Sequence, residues 1–158
     1  DTNLRNIYDT RSHGCNAKQA NALDAELFDN EELVGVGNLL ALTDNEELNA
    51  LICQQWAGIL RNKHCYRWSP RKSEELTRKK PFGVPVWLHL PKPSAVSDEI
   101  ARGETTVFTT PAGNGVMMTE GMILAYHGHK KVVLDAKAMP QDANEGVFLV
   151  MQRRMPHR

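Results

Sequence analysis

The sequence predicts an α+β fold, with about three N-terminal helices packed on a C-terminal antiparallel sheet of five or six short strands. Two observations carry this. Apolar residues recur at three- and four-residue steps in the first half, and at alternate positions from Gly83 onward, where turn-forming residues also cluster. Residues 1–158 are expected to be a single domain, with a helical part over 1–80, a joint over 81–93 and a β-rich part over 94–158.

Two helices are expected first, about Ala17–Phe28 and Glu31–Leu42, the second weakened by Gly35 and Gly37. The clearest helix starts at Thr43, where Thr43-Asp-Asn-Glu46 has the spacing of a capping box. Leu48, Leu51, Ile52, Trp56, Ile59 and Leu60 then draw one apolar stripe down a helix ending near Lys63. Its acids fall in the first turn and its bases in the last, which suits the helix dipole. Ser69-Pro70 could open a short helix in the basic stretch that follows. In Gly83–Leu90 the residues Val84, Val86, Leu88 and Leu90 share one face of a strand, and Pro85 confines that strand to an edge or to its first residues. Ser94–Arg102 reads as a short helix closed by Gly103.

From Glu104 the pattern is strands and tight turns. Thr105–Thr110 and Val116–Thr119 flank Pro111-Ala-Gly-Asn-Gly115, a hairpin loop whose amides could alternatively hold an anion. Met122–Tyr126 and Lys131–Asp135 flank His-Gly-His-Lys, a second hairpin, and Gly146–Gln152 is the last strand. Met117, Met118 and Met122 are read as core.

Nineteen basic and nineteen acidic residues cancel, but they do not mix. Asn21–Ala50 carries eight acids and no Lys or Arg, while Leu51–Lys80 carries eight bases against Glu74 and Glu75. Such asymmetry bears on partners rather than on fold. Cys15, Cys53 and Cys65 are odd in number and show no framework spacing, so a reducing, cytoplasmic address is expected and the thiols are read as buried and structural. No apolar run approaches a membrane span, and no membrane partner is expected.

The strongest candidate site is the basic-aromatic segment of Lys63, Tyr66, Arg67, Trp68, Arg71, Lys72, Arg78, Lys79 and Lys80. Phosphates need cations and unstacked bases need π faces, and this stretch holds both residue types. A solvated face over a core of Tyr66 and Trp68, or pairing with the acidic stretch of the same or another chain, accounts for the same residues. His127 and His129 could place two imidazoles on a metal, with Asp135 and Glu120 the nearest further ligands. His13, His64 and His89 complete the soft-ligand types beside the cysteines, in no zinc-finger spacing. Phosphate-loop, dinucleotide, nucleophile-elbow and zinc-protease motifs are absent from the sequence.

Glu47-Leu48 leading to Trp56, then Tyr66, the charged stretch from Arg71, and Lys80-Pro-Phe-Gly-Val-Pro85 closing on Leu90-Pro91 together resemble the ryanodine-receptor repeat, over roughly Asn45–Pro91. Where that family has a Gly-aromatic-x-Tyr-Gly turn, this chain reads His-Cys-Tyr-Arg-Trp. The stretches Glu120–Tyr126 and Val132–Asp135 are similar in outline to small phage and bacterial domains of the PGDYG type, with Met122 in place of that family's Asp. Neither resemblance implies catalytic residues; both imply an accessory or binding protein of microbial or viral origin.

Three functions are therefore expected, in this order. The first is a non-enzymatic binding protein that engages nucleic acid or a phosphorylated ligand through the basic-aromatic segment, with no cofactor. The second is a self-associating module, a homo-oligomer that joins acidic to basic halves. The third is a small metal-dependent hydrolase using His127 and His129.

Overall fold

The computed structural model describes residues 1–70, 81–112, 121–128, 131–134, 139–140, 143 and 145–154. Helices α1 (Leu4–Ser12), α2 (Glu46–Leu60) and α3 (Pro93–Ala101) accompany two sheets. The first sheet holds β1 (Leu39–Ala41), β2 (Cys65–Trp68) and β3 (Val84–Val86), all parallel, with β2 central. The second holds β4 (Thr105–Pro111), β5 (Met122–Gly128), β6 (Lys131–Val133) and β7 (Val147–Arg153), antiparallel in the order β4-β7-β5-β6. The mixed α+β composition follows the sequence; the arrangement departs from it. The principal helix covers a separate parallel sheet rather than the C-terminal antiparallel one.

Register shows how the layers sort. Leu39 pairs with Cys65, and Ala41 with Arg67, which pairs in turn with Pro85; this face meets α2. Leu40, Tyr66, Val84 and Val86 share the other face, which packs with Ala125 of β5 and with Leu134, just after β6. Because alternate strand residues point to opposite sides, β2 is buried along its length. Pro85 lies in β3, an edge strand, where its missing N–H costs the ladder nothing.

Helix α2 begins later than its capping-box spacing suggests. Asn45 is the N-cap, its Oδ1 accepting from the Leu48 amide at 3.0 Å. Thr43 instead donates its hydroxyl to Asn49 Oδ1 at 2.8 Å. The helix stops at Leu60 because Arg61 takes φ 62°, outside helical space. Its buried stripe is Asn49, Ile52, Cys53, Trp56 and Leu60, whereas Leu51 and Ile59 of the expected stripe face outward.

The two helices expected over Ala17–Leu42 are not formed. That stretch holds two 3₁₀ turns, Ala25–Leu27 and Glu31–Leu33, and then β1. Asn21 shows why: its side chain accepts from the Leu23 amide at 3.1 Å, a local bond that competes with helix. The irregular segment still buries apolar side chains. Phe28 meets Trp56 edge-on at 5.0 Å, and Trp56 Nε1 donates to Ala22 O at 3.0 Å.

In the C-terminal half, α3, β4, β5, β6 and β7 lie close to their expected positions. The expected hairpin partner of β4, Val116–Thr119, lies outside the described residues; β4 pairs with β7 across seven residues. Trp87 Nε1 donates to Leu124 O at 2.8 Å, joining the parallel layer to β5. Glu99 of α3 receives Arg153 through two nitrogens, at 3.0 and 3.1 Å, and the Thr105 hydroxyl at 2.9 Å, fastening α3 to both β4 and β7. Among the described residues no helix is long and apolar enough to cross a membrane.

Candidate functional site

Open α/β layers offer ligands a crevice beyond the carboxyl ends of their parallel strands. Here those ends are Ala41, Trp68 and Val86, and the residues at or just after them, Leu42, Trp68 and Trp87, converge on one cavity of about 210 Å³. Val96 and Ile100 of α3 cover it, and Leu124 and Met151 of the antiparallel sheet line its far side. Trp68 is held in place by its indole N–H on Leu90 O at 3.3 Å.

Trp87 is unusual. Its φ of 57° puts a bulky residue in the left-handed region, a conformation that costs about 1–3 kcal/mol and gathers at ligand clamps. That backbone opens the turn in which the Leu90 amide donates to Trp87 O at 2.9 Å. The same indole then reaches Leu124 O, so one strained residue forms a wall of the cavity and a link between layers.

A second, more polar cavity of about 730 Å³ adjoins the first, and Leu42, Pro93 and Ser97 line both. Among the described residues its charged lining side chains are Asp1, Asp44 and Asp98, with no Lys or Arg. Asp44 binds the Ser94 amide at 2.9 Å and the Ser94 hydroxyl in a short contact, so its carboxylate caps α3 from a neighbouring loop. These hydrogen bonds, with Lys92 adding a smaller attraction, hold Asp44 below the ordinary carboxylate range. A helix N-terminus is where a phosphate would bind, and at α3 a protein carboxylate already sits there. Asn45 closes the N-terminus of α2 in the same way. The polar chamber therefore suits a neutral or cationic group better than an anion.

Of the basic-aromatic segment the structure describes Lys63, Tyr66, Arg67 and Trp68, and the last three are buried on β2. At that burial, with Arg67 only 2% exposed, they cannot present π faces or a cation to a nucleic acid. The alternation of β2 explains this, since both its faces are covered. Arg67 Nε donates to Phe82 O at 2.9 Å on the α2 side. Lys63 is exposed, in the 3₁₀ turn Asn62–His64 that precedes β2. Arg71, Lys72, Arg78, Lys79 and Lys80 lie outside the described residues. Asn62 Oδ1 accepts from the Gly83 amide at 2.8 Å, which brings the chain just after Lys80 beside Arg61 and Lys63.

The thiols divide. Cys53 and Cys65 are fully buried between α2 and β2, as expected, but Cys15 is exposed. Burial pushes the Cys53 thiol up to about 12; Cys65 nearby adds to this and Arg67 opposes it. Cys65 is raised by burial as well. Both are poor nucleophiles. His127 lies exposed on β5 opposite Val147, while His129, Asp135 and Glu120 lie outside the described residues. Among the described residues, no three of His, Cys, Asp and Glu gather as a metal site would require.

Sequence reasoning missed the cavity because its walls come from separate elements spread from Leu42 to Met151. The one available signal was the pair of tryptophans at the ends of two apolar strands. Compared with known proteins, the chain matches no protein-family model and no curated sequence.

Proposed function

We propose that this chain is a non-catalytic binding protein whose ligand is a small neutral or cationic molecule carrying one apolar group. The observation that carries this reading is the cavity between Trp68 and Trp87 at the carboxyl ends of the parallel strands, with strain stored in its wall at Trp87. Its volume of about 210 Å³ exceeds that of an engineered ~150 Å³ cavity that takes benzene, so a single six-membered ring with a short substituent fits. The acidic lining of the adjoining chamber supports a cationic head over an anionic one.

Benzylamine, benzyl alcohol and benzoate test this, since they share a ring and differ in charge. Benzylamine and benzyl alcohol should raise the melting temperature and change tryptophan emission, because two of the three tryptophans wall the cavity. Benzoate should act weakly. Val96→Phe, which fills the space from α3, should remove the response while leaving the fold intact. No response to any of the three at millimolar concentration, or an unaltered response in Val96→Phe, sinks the reading.

A second reading keeps nucleic acid or a phosphorylated ligand as the partner, on Lys63 and Lys80 of the expected segment and without its buried Tyr66, Arg67 and Trp68. Its support is the gathering of Arg61, Lys63 and the chain leaving Lys80 at the amino end of β2, opposite the cavity. On this reading Lys63→Glu with Lys80→Glu weakens binding to single-stranded DNA and flattens its salt dependence. Arg67→Glu would instead unfold the protein, as an unpaired buried charge does. Binding unaffected by salt, or by the Lys63 and Lys80 changes, removes it.

A further inference from the structure

Helix α3 runs between the apolar cavity and the polar chamber, and its residues sort between them by position. Val96 and Ile100 line the apolar cavity alone. Ser94 and Asp98 line the polar chamber alone. Pro93 and Ser97 line both. The members of each pair are four residues apart, so each pair forms one row along the helix. At about 100° per residue the three rows follow one another around the helix, with the shared row in the middle. The two spaces therefore meet across a single row of small side chains.

Of the three carboxylates that line the chamber, two are already engaged through both oxygens. Asp1 accepts from the Asn3 amide and from Asn6 Nδ2, each at 2.8 Å. Asp44 accepts from the Ser94 amide and the Ser94 hydroxyl. Among the described residues nothing donates to the Asp98 carboxylate. Arg102, four residues further along the chain, is turned to Glu104 through two nitrogens at 2.7 and 2.8 Å. Asp98 is thus the carboxylate with both oxygens open to a ligand in the chamber.

We infer that one ligand fills both spaces: an apolar ring between Trp68 and Trp87, a chain of two or three carbons over Pro93 and Ser97, and an ammonium on Asp98. This rests on the tryptophan cavity being a binding site, and adds to it a ligand length and a charge partner. The length follows from the helix. Neighbouring positions on its surface stand about 5–6 Å apart, so an ammonium held to the ring by one carbon stops at the shared row. Two or three carbons carry it across to Asp98.

Calorimetric titration with benzylamine, 2-phenylethylamine and 3-phenylpropylamine, each against the alcohol of the same length, tests this. The two longer amines should bind about fivefold more tightly than their alcohols, the upper end for an exposed ion pair, and benzylamine should show little such preference. Asp98→Asn should bring the longer amines down to their alcohols. Glu47→Gln, which removes an exposed carboxylate outside both linings, should leave the preference in place. Alcohols that bind as tightly as the amines, a preference that survives Asp98→Asn or is lost equally in Glu47→Gln, or an equal preference for benzylamine overturns the inference while the cavity remains a binding site. Failure of all six compounds to bind overturns both.

Discussion

Asn49 is the polar residue on which the parallel layer turns, and replacing it with leucine tests that directly. It sits in the first turns of α2 with no exposed surface. Its Oδ1 accepts from the Thr43 amide at 2.9 Å and the Thr43 hydroxyl at 2.8 Å. Its Nδ2 donates to Thr43 O at 2.9 Å and to Trp68 O at 3.3 Å. One amide thus ties the chain after β1, the start of α2 and the end of β2. Each neutral hydrogen bond contributes about 1 kcal/mol net, and Asn49→Leu deletes four while leaving backbone groups of Thr43 and Trp68 without that partner. Leucine is close in volume and recovers roughly 1 kcal/mol of apolar burial, so the net loss is about 3 kcal/mol. For a chain of this length that lowers the melting temperature by about 6–12 °C. Urea titration followed by circular dichroism measures it, with Asn45→Ala, a surface cap worth about 1 kcal/mol, as the comparison. If Asn49→Leu costs no more than Asn45→Ala, the account of Asn49 as a buried tie is wrong.

Two further outcomes follow from the packing of α2 on the sheet. Gly83 has φ 87°, and a Cβ there would stand 2.6 Å from Cys53 Sγ, so Gly83→Ala should cost about 3 kcal/mol in urea titration, from left-handed backbone and overpacking together. In a Cys53→Gly background, which removes both Sγ and the Cβ that would stand 2.8 Å away, the steric part should vanish, leaving about 1 kcal/mol; an unchanged cost would mean that the contact is not what excludes alanine. For Cys53 itself, burial raises the folded-state value from 9.0 to about 12. The unfolded thiol ionises first, so stability is whole below about pH 9 and declines as pH rises toward 12, by at most about 4 kcal/mol. Stability curves between pH 8 and about 11 should therefore fall less steeply in Cys53→Ala than in the parent, and parallel curves would count against the buried thiol as the cause.

What the sequence made legible was local. Periodicity located α2, α3 and most of the antiparallel strands, because each writes its own pattern within ten or fifteen residues. Pro85 announced an edge strand by its chemistry alone. The parallel sheet was hidden for a physical reason: β1 and β3 are three residues long, and β2, covered on both faces, loses the alternation that marks a half-buried strand. Arg67 and Tyr66 shared a misleading signal with Trp68. A cation between two aromatics reads as a binding surface unless the strand's second cover, α2, is known in advance. Leu51 and Ile59 misled in the opposite direction, since apolar residues on an outward face are ordinary. The cavity was out of reach, because no window of sequence contains its walls.

The position of β7 has a consequence for how the chain is made. It is the last of the described strands in sequence, yet it lies between β4 and β5, so β4 lacks its described partner, and β5 has only β6, until β7 leaves the ribosome. From Pro111 to Val147 there are about 36 residues, or roughly 2–7 s of translation at ~5–20 residues per second. During that interval a nascent chain can assemble β1, α2, β2 and β3 from nearby contacts, while β4, uncharged and still without β7, waits beside other emerging copies. Slowing translation after Pro111 should raise misassembly through β4, and a chaperone that shelters Val107 and Phe108 should lower it.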